Sequence, residues 1–352
     1  DYWYQGMPNF SKEYPPGWSA QLTYFEKEKG QVACQYKDLY GNGEKIFKKH
    51  ILDDKRFQLN YRKWGNLLKR FNDFKNFSDI SKLEKLTDEE IKNNYLCWNK
   101  FYGGEFWNIG SLPEVANWGG EQILEKELRN RIKDDKDFHY AFEKLAAPEN
   151  LSFYQKEELD LLRIKFLENK KQARMKLISH QRKYYWLQNS YHHTKILNVS
   201  DFKRMLDSCT LAEVRRKIKE IINFKRNTKK NKIKVINDFS LPKAVLKIGQ
   251  RLSFCVWWQD LRKSYIWQAN YIIDNFFKEI SQRYQEDLGS LYYYKVSEVE
   301  DLIRKNKRVS GEEIRKRKSI FLLYWNGKNE FAVFSGRKAK IIFAPYQKEE
   351  II

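Results

Sequence analysis

Little in this sequence punctuates or cross-links a chain: its 352 residues include 7 Pro, 16 Gly and 4 Cys. So few Pro and Gly exclude collagen-like and low-complexity character. Cys34, Cys97, Cys209 and Cys255 lie far apart with no CxxC pair. Zinc ribbons and fingers, whose ligands cluster on tight turns, are therefore excluded. A disulfide framework is not expected at this size. The four thiols are expected to be small buried hydrophobes in a reducing cytoplasm. No run approaches the roughly 18 uncharged apolar residues that a spanning helix needs. The first residues, DYWYQGMPNF, lack the basic and apolar regions of a signal peptide. A chain starting at Asp1 without Met is expected to be a processed or trimmed piece.

Familiar chemical motifs are missing as well. Phosphate-cradling loops need glycines at set spacing before a helix, and neither GxxxxGKS/T nor GxGxxG occurs. There is no GxSxG elbow and no HExxH pair. His192-His193 is the one adjacent His pair, and neighbours on a helix point about 100° apart, a poor chelate. No metal site is expected.

What is present is charge and aromatic carbon. Sixty-seven Lys+Arg against 46 Asp+Glu give a formal net charge of +21, and 41% hydrophobic with 16% aromatic residues exclude disorder over most of the chain. The length suffices for two domains with a large buried core.

Short β-prone runs, Gln21–Phe25 and Gln31–Tyr36, flank a charged EKEKG after an irregular, aromatic-rich start. Over Asp53–Phe77, apolar residues at spacings of three and four predict an amphipathic helix. Capping boxes at Thr87/Glu90, Ser152/Gln155 and Thr210/Glu213 open three more, because each pair satisfies orphan backbone donors of a first turn. The helix after Ser152 is expected to run to about Lys170. A Gly-punctuated stretch, Tyr102–Gly120, is expected to separate the second helix from one near Glu121–Ile132. Further helices are expected over Arg174–Trp186 and Leu211–Lys225, with a Lys/Asn-rich connector at Arg226–Lys234. Leu241 to about Gln285 reads as a long helix or helix pair. Ser297/Glu300 and Ser310/Glu313 mark two short ones. Ile320–Trp325, Asn326-Gly327 and Glu330–Phe334 read as a hairpin whose Asn-Gly suits a type I′ turn. The expected class is mostly α (α+β), a multi-helix domain with a small β-hairpin near each end. Its segments are 1–50, 51–290 and 291–352.

Glu157, Glu158 and Asp160 share one helical stretch with Arg163. A solvated acidic first turn favoured by the helix dipole explains them, with Asp160–Arg163 worth a few tenths of a kcal/mol. Positive charge is concentrated. Arg215–Lys234 holds ten Lys/Arg and one acid, net +9, and Lys165–Lys183 holds seven and one, net +6. Together they carry 15 of the 21 excess charges. Beside Tyr184, Tyr185, Trp186 and Tyr191 such charge can follow a phosphate backbone while bases stack. Arg215, Arg216, Lys217, Lys225, Arg226, Lys229 and Lys230 are the candidate nucleic-acid contacts. The alternative is that Lys-rich composition keeps the protein soluble and the aromatics are core.

LAAPENLSFYQKEELDLLRI and HQRKYYWLQNSY, within residues 145–191, resemble the helical middle region of phosphotransferases that use phosphoenolpyruvate. These are relatives of phosphoenolpyruvate synthase and rifampicin phosphotransferase. LRKSYIWQANYIIDNFFKEI (261–280) is similar to that family's long helix. LYYYKVSEVEDLI and IRKRKSIFLLYWNGKNEFAVFSGRKA (291–339) are similar to its short helices and closing hairpin. The resemblance covers roughly residues 50–345 as sparse matches in order. It implies a parent enzyme with an ATP-grasp region, this helical region and a swivelling domain whose histidine, in a TGGxxSHxA-type motif, carries phosphate. None of His50, His139, His180, His192 and His193 sits in such a motif, and no ATP-grasp phosphate loop precedes residue 50. The chain stops at Tyr346–Ile352, where the swivelling domain is expected to begin. The implied role is to position a substrate or dock the mobile domain, without catalysis by this piece alone. ATP and Mg²⁺ are implied for the parent enzyme only. Partners would be the ATP-grasp and swivelling domains, in cis or trans. His180, Tyr184, Trp186 and Asn189 are the candidate substrate contacts, and Arg262 and Lys263 could clamp an anion. The bland readings are a histidine that satisfies a core helix and cations that bridge to acidic turns.

Overall fold

The computed structural model describes residues 2–27, 29–190, 194–327 and 331–346. Tyr191, His192 and His193 lie outside the described residues. The molecule is mostly helical with one four-stranded antiparallel sheet, so the mostly-α class holds. It divides into two compact units, one formed by residues 1–119 and 272–352 and the other by Gly120–Tyr271.

In the first unit, strands β1 (Gln21–Glu26) and β2 (Lys29–Cys34) form the expected hairpin, as do β3 (Ile320–Trp325) and β4 (Phe331–Ser335). The two are not separate hairpins. β1 also pairs with β3, Tyr24 opposite Leu322, giving the order β2-β1-β3-β4. Alternation puts Leu22, Tyr24 and Leu322 on one face, closed by Ala339 and Phe343 of the helix Gly336–Phe343. The Tyr24 and Phe343 rings stack with centroids 4.6 Å apart. On the opposite face Phe25 stacks on its cross-strand partner Phe321, also at 4.6 Å. Trp325 pairs with Phe331, so the connection spans 326–330 and is longer than the two-residue type I′ turn expected of Asn326-Gly327.

Three further expectations are corrected here. The irregular start is a helix, α1 (Tyr2–Glu13), because Tyr4, Met7 and Phe10 turn one face inward and burial overrides the Pro8 inside it. The stretch Tyr102–Gly120 is no separator. A π-helical segment Lys100–Phe106 runs through Trp107–Gly110 into the helix Leu112–Arg129. Its aromatic side chains lock it down: Phe101, Tyr102 and Phe106 are buried with Trp64, Phe71 and Trp98, and Trp98 stacks on Tyr102 at 4.8 Å. Gly119 is there for closeness, since a Cβ on it would lie 2.0 Å from the Gly43 carbonyl carbon. The third correction concerns the thiols. Cys255 is buried, Cys34 and Cys209 are half-buried, and Cys97 is exposed.

Thr87 and Ser310 cap the helices Asp88–Asn99 and Gly311–Ser319 as expected, and Asp53 caps the expected aromatic helix, Asp54–Phe77. The short helix expected at Ser297 begins earlier, Val296–Lys305 after Lys295, with Glu298 rather than Glu300 closing the box. Glu300 instead accepts from Asn99 Nδ2 at 3.1 Å.

The second unit is helical. Asp135–Ala146, capped by Asp134, is a helix with no counterpart in the expectations. α2 (Phe153–Ile164) keeps its Ser152/Gln155 box but stops well short of Lys170. α3 (Lys170–Tyr184) starts four residues before Arg174, because Asn169 accepts from Gln172 N–H and caps it there. α4 (Leu211–Asp238) contains the whole expected connector. Arg226–Lys234 has no Gly or Pro, and Val214, Ile221, Thr228, Lys232 and Val235 recur at helical spacing as one buried seam. Lys232, only 1% exposed, donates to the Leu145 carbonyl at 2.7 Å. Burial pulls its ammonium down to about 8. α5 (Lys243–Tyr284) is the expected long helix, unbroken.

Two glycine substitutions test this packing. Gly119→Ala is expected to destabilise the first unit by about 3 kcal/mol, since backbone on Gly43 and Glu44 must move. Gly65→Ala, where a Cβ meets nothing within 4 Å on an exposed helical face, is expected to stabilise by about 0.5–1 kcal/mol. Urea unfolding of both variants, read by tryptophan fluorescence, checks the pair.

Candidate functional site

α2 and α3 face one another through a row of polar side chains. The Ser152 box fixes where α2 begins, and its Phe153 N–H is accepted by Asp260 of α5 at 3.0 Å. That phase turns Glu157 and Asp160 toward α3. Glu157 is buried and its Oε1 lies 2.8 Å from His180 Nε2, a pair almost fully removed from water. Facing a carboxylate oxygen, Nε2 is the donor of this bond. The His180 ring is held edge-on to Phe202, with centroids 4.8 Å apart. Asp160 Oδ2 accepts from both Lys183 Nζ and Tyr184 OH, each at 2.8 Å. Burial pushes the Asp160 carboxyl up, but those two donors outweigh it and hold it below its ordinary value. Burial and the same carboxylate push the Tyr184 phenol up to about 12.

The acidic cluster is thus not a solvated first turn. Asp160 pairs across to Lys183 rather than along the helix to Arg163, and Glu158 reaches Lys217 of α4 at 2.6 Å. Each carboxylate meets a neighbouring helix: Glu157 and Asp160, three apart, share the side of α2 that faces α3, and Glu158, about 100° round from Glu157, faces α4.

Beside the buried pair opens a pocket of about 330 Å³. Arg163, Lys176 and Lys183 bring three cations to its wall, against the single carboxylate of Asp160. His180, Ser179 and Tyr184 add polar groups, and Ile164 and Leu167 an apolar side. Such a wall suits a small anionic group: charge from Arg163 of α2 and Lys176 of α3, a hydroxyl donor and a histidine ring.

Of the substrate contacts named from sequence, His180 and Tyr184 line this pocket together. Trp186 and Asn189 sit in the turn after α3 and hold chain to chain. Trp186 Nε1–H donates to the Lys183 carbonyl at 2.9 Å; Asn189 donates to the Trp267 carbonyl at 3.0 Å and accepts from Lys195 N–H at 2.7 Å. Arg262 is buried on α5, and Lys263 lies over the Trp267 ring, 5.2 Å from its centroid. Neither lines the pocket. Sequence reasoning missed Lys176, Ser179 and Lys183 as site residues. Their signal was there: Lys176, Ser179, His180 and Lys183 recur at three and four along α3, one face of the helix.

All seven nucleic-acid candidates lie on α4. Arg216 pairs with Glu220 at 3.0 Å, Lys217 with Glu158, and Lys229 with Glu149 at 3.8 Å. Arg226 donates to Asn223 at 3.0 Å. Arg215, Lys225 and Lys230 are exposed, with no ion pair among the described residues. Among the described residues no group of three or more His, Cys, Asp or Glu is placed to hold a metal ion, and no helix is long and apolar enough to cross a membrane.

The polar row sets two expected outcomes. His180→Ala strips the buried Glu157 carboxylate of its partner and is expected to cost about 3 kcal/mol. Asp160→Asn is expected to cost about 1 kcal/mol at pH 7, the pair being partly solvated. A carboxyl whose folded value is depressed stabilises above its unfolded value, near pH 4, and loses that contribution as pH falls through the folded one. The gap between wild type and Asp160→Asn should therefore narrow below pH 4, which urea melts at pH 7 and pH 3 measure.

No family model matches this sequence, no curated protein matches it, and no solved structure matches it.

Proposed function

We propose that this chain is the substrate-positioning or domain-docking region of a phosphotransferase resembling phosphoenolpyruvate synthase, acting in the cytoplasm and not catalytic by itself. The observation that carries the reading is the pocket beside the Glu157–His180 pair. Most of its lining lies within the text that resembles the family, and Arg163 and Lys176, which make no ion pair among the described residues, answer the charge of a phosphoryl-bearing substrate. In the parent enzyme a phosphoryl group would pass from ATP or phosphoenolpyruvate through a phosphohistidine to an acceptor. ATP-grasp and swivelling domains, in cis or trans, would supply the nucleotide, Mg²⁺ and that histidine. The described residues offer no acidic cluster fitted to Mg²⁺, so no step through the ion is assigned to this chain. Its own residues would orient the anionic end of the substrate: Arg163 and Lys176 by charge, Ser179 as hydroxyl donor, and His180 in the orientation that Glu157 sets.

A basic helical module that binds nucleic acid is the second reading, favoured by the exposed Arg215, Lys225 and Lys230 of α4. The ion pairs of Arg216, Lys217 and Lys229 leave that face with less free charge than the sequence counts.

Protein isolated from its native source separates the two. Incubated with labelled ATP and Mg²⁺, the isolated polypeptide or its stable assembly is expected to carry acid-labile, base-stable label on histidine. An assembly that takes no such label, yet binds RNA with an affinity that falls steeply with salt, overturns the phosphotransfer reading in favour of the module.

A further inference from the structure

α4 carries a second stripe that the fold does not use. Its buried seam is Val214, Ile221, Thr228, Lys232 and Val235. About 100° around the helix, Leu211, Ile218, Ile222 and Ile233 follow one another at spacings of seven, four and eleven, each close to a whole number of turns. Leu211 is 51%, Ile222 55% and Ile233 54% exposed. Single exposed aliphatic residues need no explanation; three in line along one helix, with half-buried Ile218 between them, do. Flanking them along one side are Arg215, Lys219 and Arg226, and α4 carries no acid on that arc. Near its N-terminal end the stripe is concave: Phe166, in the turn after α2, forms a hollow of about 330 Å³ with Ile218, Ile222, Arg215 and Lys219.

We propose that this face of α4 docks an acidic amphipathic helix of a partner protein. The charge decides the sign of the partner: aliphatic anchors meet the stripe while carboxylates beside them meet Arg215, Lys219 and Arg226. The length fits, since Leu211 to Ile233 spans about 33 Å, the reach of a helix of roughly twenty residues. The hollow at Phe166 receives a protruding side chain, as an interface anchor requires and a flat bilayer surface does not. Of the side chains named on this surface Phe166 alone carries a ring and the row itself is aliphatic, so successive bases have no series of rings to stack on, which argues against single-stranded nucleic acid as the occupant. The inference stands apart from the phosphotransfer reading, because α4 and its stripe are the same whichever enzyme, if any, the chain belongs to.

The probe is a fluorescein-labelled helical peptide of about 24 residues, Leu on one face and Glu beside it, titrated with the full chain by fluorescence anisotropy. Saturable binding is expected, weakened at least tenfold by Ile222→Glu and also by Arg215→Glu. Both side chains point outward, so both variants should melt like wild type. A scrambled peptide of the same composition should bind at least tenfold more weakly. Failure of wild type to bind, equal binding of the scrambled peptide, or unchanged binding by Ile222→Glu overturns the proposal. So does Ile222→Glu abolishing binding to phosphatidylserine vesicles or single-stranded RNA when the peptide is not bound.

Discussion

The first unit depends on one pairing, β1 against β3, between strands that stand almost three hundred residues apart in the chain. Closing a flexible loop of that length costs about 5 kcal/mol before any contact is made. Backbone hydrogen bonds alone would not offset it, because the unfolded strands bond equally well to water. What does is the surface that the pairing assembles. Tyr24 and Leu322 meet across the ladder, Phe343 stacks on Tyr24, and Phe25 stacks on Phe321. None of these apolar contacts exists within either hairpin by itself. Other bonds carry the same constraint away from the sheet: Asn99 Nδ2 donates to Glu300, and Asn275 Nδ2 donates to the Ser78 carbonyl. The second unit, Gly120–Tyr271, is therefore an insertion in a first unit that early and late sequence build together.

What was legible in the sequence follows from how local each cause is. The Thr87, Ser152 and Thr210 boxes occur where they read, because a cap is settled within four residues. The aromatic helix over Asp54–Phe77 was equally plain from its period. The misreadings arose where a distant partner decides. Glycines in Tyr102–Gly120 look like breaks until Gly43 is seen lying against Gly119. Lys and Asn in Arg226–Lys234 look like a solvated connector until Lys232 is found inside, bonded to Leu145 O. At the β-ends each hairpin could be read alone, but their mutual pairing could not, since register across hundreds of residues leaves no periodic trace.

The candidate site divides along the same line. His180 and Tyr184 share a face of α3 by spacing alone. That Glu157 would be His180's partner, and Asp160 the partner of Tyr184 and Lys183, depends on how α2 is turned toward α3. Before that geometry is known, three carboxylates in a first turn look like ordinary response to a helix dipole. Afterwards they are separate commitments to α3 and α4, and the basic cluster of Lys165–Lys183 supplies both a neutralised pair and the remaining charge of the pocket wall.

This bookkeeping of partners changes what a net charge of +21 means. Charge counted along the sequence treats Lys217, Lys229 and Arg215 alike. In the folded chain Lys217 faces Glu158 and Lys229 lies near Glu149, while Arg215 borders an apolar hollow with no acid beside it. Only cations of the last kind keep their field for a ligand, because a paired cation has already exchanged water for a carboxylate. Where such a cation lies in a polar pocket, as Arg163 and Lys176 do, the complementary ligand is a small anion. Where it flanks an exposed aliphatic row, as Arg215 and Lys219 do, the ligand must bring carbon as well as negative charge. On the two proposals the basic clusters of one chain would address different chemistry, and the side chains between the cations, rather than their number, would make the difference.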